Sequence, residues 1–263
     1  MVEPPTPLSR YAAMIEKIFE DRYKEGATIV SFERTDLETA ASELGIALPK
    51  NLGDVLYSVR YRTAMPPKIL ATQRDDREWI IEGTARGKYV FKLVKQTRIQ
   101  PSNILATIAI PDATPELIRA YALDDEQALL AIVRYNRLVD TFLGLTSYSL
   151  QNHLRTTVSG VQIEIDELYV GIDKHGCHYV IPVQAKGGTD QIGVVQTAQD
   201  IRYAAQKFPD IRCRPIAAQF MDDGVVAMFE LTLQDEQVKV SEERHYRLVP
   251  ASELDQAAIR AYR

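Results

Sequence analysis

Apolar residues recur at helical spacing across 8–24 (LSRYAAMIEKIFEDRYK), which predicts a first helix. A second helix is expected over TDLETAASELG, with Thr35 as cap, Glu38 reaching back to it and Gly45 as the stop. After IALPK a third begins at Asn51 and runs LGDVLYSVRYRT. The pattern then turns strand-like: EWIIEG and GKYVFKLV flank TARG as a hairpin. QPSNILATIAIPDA reads as a connector. A short helix PELIRAYAL follows, with Thr114 as cap and Pro115 in its first turn. Next comes one longer helix, DDEQALLAIVRYNRLVDTFLG, which buries Leu129, Ile132, Val133, Val139 and Phe142, solvates Arg134 and Arg137, and closes at Gly144.

The remaining chain reads as a short helix over 147–158 (SYSLQNHLRTTV), strands VQIEIDELYVGI and CHYVIPVQAK, and a long helix IGVVQTAQDIRYAAQKF. Strands IRCRPIAAQF and VVAMFELTL follow, joined at MDDG, and then a terminal helix capped by Ser252. The expected class is α/β (α+β overall), in three parts: 1–98, a helical connector 99–145, and 146–263. Helix, helix-turn-helix and hairpin over 1–98 is the order of a winged helix, which sets its second paired helix in the major groove and its hairpin on the backbone.

Charge sharpens that expectation. The chain carries a net −5, yet 51–100 holds ten Lys/Arg against five acids. A local basic face on an acidic protein can bind phosphate. Arg60, Arg62, Lys68, Arg86 and Lys88 are the expected contacts to double-stranded DNA. No run of about 18 apolar residues is present, so no membrane is expected. Cys177 and Cys213 form neither a disulfide framework nor a zinc motif, which fits a cytoplasmic setting.

The stretch HYVIPVQAKGGTD raises a chemical question, because Gln184 and Lys186 interrupt an apolar strand on one face. A three-residue loop Lys174-His175-Gly176, with glycine left-handed, would place Asp173 opposite Cys177. Asp166 then faces Gln184 and Glu164 faces Lys186. One side of the hairpin would carry these four polar groups; the other would carry Ile163, Ile165, Val183 and Ala185. A two-residue loop would reverse the parity. A carboxylate beside an amide oxygen suits Mg²⁺, and a lysine next to it can orient water or stabilise charge on a phosphate. The bland alternative is a solvated face with a weak Glu164–Lys186 pair.

Asp166 followed on the next strand by Gln184-Ala185-Lys186 resembles the PD-(D/E)XK nuclease superfamily, in the Gln-x-Lys form of Mrr-like restriction endonucleases. Gln199 and Tyr203 match the Gln-x-x-x-Tyr spacing of its RecB-like members. The resemblance spans roughly 147–233 and implies a restriction-endonuclease-like α-β-β-α-β core. It implies Mg²⁺ (or Mn²⁺) on Asp166 and Gln184, with Lys186 assisting the attacking water and Glu164 either holding a second metal or orienting Lys186. Gln151, expected on the preceding helix, is the further polar group, with Asn152 and Arg155 as DNA contacts. The Pro-Asp dipeptide is absent and Gln replaces the second acid. The implied function is DNA cleavage in restriction or defence, with a homodimer for double-strand cuts. The competing reading is a DNA-binding regulator or recognition subunit with an inactive nuclease fold.

Overall fold

The computed structural model describes residues 8–61, 63–95, 98–121, 126–187, 190–221 and 224–261. The chain divides into two compact units, one of 1–97 with 159–161, the other of 98–158 with 162–263.

The first unit contains α1 (Arg10–Arg22), β1 (Ile29–Glu33), α2 (Arg34–Glu43), α3 (Gly53–Tyr61), α4 (Pro67–Leu70), β2 (Glu78–Ala85) and β3 (Lys88–Val94). Its strands form an antiparallel sheet in the order β1-β3-β2. The apolar stripe of α1 (Met14, Ile15, Ile18, Phe19) packs with Leu37, Val55, Trp79 and Phe91 in one core. Phe19 meets Trp79 and Phe91 edge-on, each at 5.0 Å. The hairpin and all three expected helices are present; β1 and α4 are additional. The cap of α2 lies two residues earlier than expected. Glu33 N donates to Asp36 Oδ2 at 2.7 Å, so Glu33 and Asp36, not Thr35 and Glu38, form the box. Gly45, at φ +64, ends that helix as read.

The second unit contains β4 (Arg98–Ile99), β5 (Thr107–Pro111), α5 (Glu116–Tyr121), α6 (Glu126–Tyr135), α7 (Leu138–Leu143), β6 (Thr146–Val158) and β7 (Val161–Ile172). It continues with β8 (His178–Lys186), β9 (Ile192–Gly193), α8 (Val194–Lys207), β10 (Arg212–Cys213), β11 (Ile216–Phe220), β12 (Val225–Gln234), β13 (Gln237–Val249) and α9 (Gln256–Ala261). A large mixed sheet runs β5-β13-β12-β11-β8-β7-β6, with β10 beside β8. β7 and β8 are antiparallel; β11 returns parallel to β8 after α8. Helices α6 and α7 pack on Tyr169, Ile181, Val183, Ala185 and Met228, and Val194 and Ala198 of α8 pack on Ala217, Ala227 and Phe229. The fold is mixed α/β, and among the described residues no helix is long and apolar enough to cross a membrane.

Several expectations change. Residues 99–145 are no connector: β5 pairs with β13, and Leu129, Leu130 and Val133 are fully buried core. The single helix expected there breaks at Asn136–Arg137, where Arg137 takes φ +48 and the Asn136 amide bonds Thr114 Oγ1, Ile132 O and Ala113 N. Gly144 caps α7 at φ +65, as read. Residues 147–158 are strand, not helix. Their Thr-Thr-Val end favours a strand, and Ser159-Gly160, at φ +51 and +80, supplies the two positive-φ positions of a tight hairpin turn. β13 was not foreseen, because its turn, Asp235-Glu236 at φ +51 and +58, has no glycine to announce it. The terminal helix starts later than expected, with Asp255 rather than Ser252 accepting its Ala257 N–H. Asp222 and Asp223 of the MDDG turn lie outside the described residues.

The β7–β8 loop is the one expected. Gly176 N donates to Asp173 O at 3.0 Å, Asp173 N to Cys177 O at 3.1 Å, and Gly176 sits at φ +81 with open space around its Cα. Gly176→Ala therefore isolates backbone strain from steric clash. It should destabilise the second unit by about 1–2 kcal/mol, read as a lowered midpoint in urea, with Gly176→Asn costing less.

Candidate active site

The hairpin ladder sets the site. Glu167 pairs with Val183 and Ile172 with His178, the register that puts Asp166 across from Gln184. Beyond Glu167 a side chain takes over from the ladder: Asp166 Oδ2 accepts the Ala185 N–H at 2.9 Å. Asp166 is 9% exposed; burial raises its pKa, opposed by the Lys186 charge and that N–H. Gln184 is 1% exposed and turned toward α8, where its Nε2 donates to Thr197 Oγ1 at 3.0 Å and Asp200 Oδ2 at 2.9 Å. Among the described residues Gln184 Oε1 has no hydrogen-bond partner. A buried orphan carbonyl is costly and calls for a donor or a cation.

Lys186 ends β8 and places its Nζ 2.6 Å from Glu126 Oε1, at the start of α6. Burial disfavours the lysine's charge, but Asp166 and Glu126 outweigh it and hold its pKa above the ordinary value. Glu126, like Thr197 and Asp200 on α8, is a site residue that sequence reading missed. Its signal was present, an acid at the head of the helix before the hairpin, but the register of a helix against a strand end is not written in spacing.

Other candidates are placed differently. Glu164 does not meet Lys186; it pairs with His153 at 3.0 Å and Arg155 at 3.3 Å on β6. Gln151 lies exposed on β6 rather than on a helix. Arg155 is engaged by Glu164. Asn152 joins a separate network on the α6 side: with its amide nitrogen 3.0 Å from Glu167 Oε1, its oxygen accepts from Arg134 Nη2 at 3.2 Å. Arg134, expected on a solvated face, binds the fully buried Glu167 at 2.9 Å, and Ser149 Oγ donates to the same carboxylate. Gln199 and Tyr203 are buried on α8, but the groups that reach Gln184 are Thr197 and Asp200, on the neighbouring stripe. Tyr203 sets its ring edge-on to Phe208 at 6.2 Å. Among the described residues no three His, Cys, Asp or Glu side chains form a metal-binding group. The hairpin register sets Asp166 across from Gln184, whose oxygen has no hydrogen-bond partner among the described residues.

In the first unit, Arg86 and Lys88 are exposed at the β2–β3 turn and Arg60 is half-buried near the end of α3. Lys68 is held by Glu20 at 2.7 Å and Glu16 at 3.7 Å, which leaves it poorly suited to phosphate. Arg62 lies outside the described residues.

Comparison of the chain with protein-family models, curated proteins and solved structures returned no match.

The Glu167 network separates structure from chemistry. Arg134→Ala leaves a buried carboxylate without its cationic partner and should cost roughly 3 kcal/mol. Arg134→Ala/Glu167→Gln should recover most of that loss. Denaturant midpoints of the three proteins check both statements.

Proposed function

We propose that the second unit is a metal-dependent DNA endonuclease of the PD-(D/E)XK kind and that the first is a winged-helix-like module that docks on double-stranded DNA. The observation that carries this reading is the placement of Asp166 across from Gln184 and beside Lys186 at one end of the β7–β8 hairpin, with the Gln184 oxygen left without a hydrogen-bond partner among the described residues. The chain path supports it in part: antiparallel β7-β8, then α8, then β11 parallel to β8, follows the β-β-α-β order expected of a restriction-endonuclease-like core, with strand β6 where its first helix was expected. In the first unit the sequence α1-β1-α2-α3-β2-β3 with sheet order β1-β3-β2 supports the winged-helix reading.

Asp166 and Gln184 Oε1 are the groups that would hold Mg²⁺ or Mn²⁺. When bound, such an ion supplies positive charge at the phosphate and acidifies a water. Lys186 stays protonated between Asp166 and Glu126, so it serves as a fixed cation facing the charge that develops on the phosphate, not as a base. Glu126 holds its Nζ in place. Asp166, anchored on the Ala185 N–H, keeps one carboxylate oxygen committed to the backbone and the other available. Glu164, paired on β6, is not assigned a ligand role.

Plasmid DNA incubated with Mg²⁺ tests the reading. The wild type should nick or linearise it, and Lys186→Ala should lower the rate at least about a hundredfold while DNA binding persists. Absence of cutting by both proteins, with binding retained, would instead support the regulator reading. Arg86→Ala/Lys88→Ala should lower the slope of log affinity against log salt by about 2; an unchanged slope would remove the β2–β3 turn from the DNA interface.

A further inference from the structure

The two ends of the Gln184 amide are treated differently by the fold. Its nitrogen meets Thr197 Oγ1 and Asp200 Oδ2 on α8. Thr197 directs its own hydroxyl proton to the Gly193 carbonyl at 3.2 Å, so its oxygen is left to accept. Asp200 Oδ2 accepts from the same nitrogen; burial pushes this carboxyl's pKa well above the ordinary value, and the Gln184 hydrogen bond opposes that rise. Both groups facing residue 184 are therefore acceptors, and both residues are buried, at 0% and 1% exposure. An NH₂ satisfies both, which leaves the carbonyl as the free end. A glutamate at 184 would set oxygen against oxygen at Thr197 and place two carboxyl groups together in a dry interior, where one of them must take up a proton.

We infer that Thr197 and Asp200 are positioning residues that lock the Gln184 amide with its oxygen toward the cation, and that Asp200 is the reason an amide rather than an acid stands at 184. The inference rests on the nuclease reading above. The acid that β8 lacks is present one hydrogen bond behind it, on α8, so the Gln-x-Lys pattern here is a matched pair with the helix and not a lost ligand.

The test uses the full chain without DNA and reads Mn²⁺ binding from the signal of the free ion in electron paramagnetic resonance. Asp200→Leu and Thr197→Val, which remove an acceptor, should weaken binding about 10- to 100-fold. Asp200→Asn and Thr197→Ser, which keep one, should stay within about threefold of wild type, an order below the loss expected for removal. Melting without metal supplies the second readout: Gln184→Glu should lower the melting temperature, and Gln184→Glu/Asp200→Asn should restore it. A wild type that binds no Mn²⁺ would overturn the nuclease reading and this inference together. A wild type that binds Mn²⁺ while Asp200→Leu and Thr197→Val bind equally well would overturn the inference alone. So would a double variant that melts no higher than Gln184→Glu.

Discussion

The parity of one hairpin governs the second unit. Side chains on a strand alternate, so a loop longer or shorter by one residue between β7 and β8 would exchange its two faces. The three-residue loop closed by Gly176 fixes that parity. Asp166 and Gln184 then share the polar end of the hairpin, Glu167 is sent to Arg134, and Val183 and Ala185 join the core beneath α6 and α7. Two adjacent acids thereby acquire different fates. Glu167 is neutralised by an arginine, a serine and an asparagine on one side. Asp166 is kept on a backbone N–H beside Lys186 on the other.

What the sequence made legible follows from how local each signal is. The hairpin loop was readable because glycine at a left-handed position is a local requirement, and the register followed from it. The helix ends at Gly45 and Gly144 were readable for the same reason. The edge strand β6 was misread because Gln-Asn-His-Leu-Arg has no strong preference and only its pairing with β7 makes it a strand. The α6–α7 break escaped because Arg137 at φ +48 is sustained by Asn136 contacts to residues over twenty positions away. Glu126 and Asp200 escaped because their roles depend on how helices seat on the sheet, which periodicity does not encode.

The site gains coherence when its polar groups are followed outward. Lys186 is fixed by Glu126 from one helix and Gln184 by Thr197 and Asp200 from another, so both faces of the sheet contribute to holding one strand end. Such support is what a catalytic constellation requires, since a side chain free to rotate would lose the geometry it is meant to supply. Most polar atoms of this network are matched; among the described residues Gln184 Oε1 and Asp200 Oδ1 are acceptors left without a partner, and the first is the one assigned to the cation.

The most direct test of the central claim is a crystal structure of the protein soaked in Mn²⁺ with anomalous data. The account predicts a single strong anomalous peak in direct contact with the Asp166 carboxylate and Gln184 Oε1. A Gln184 oxygen turned onto a protein donor, with no peak between it and Asp166 at saturating Mn²⁺, would contradict it.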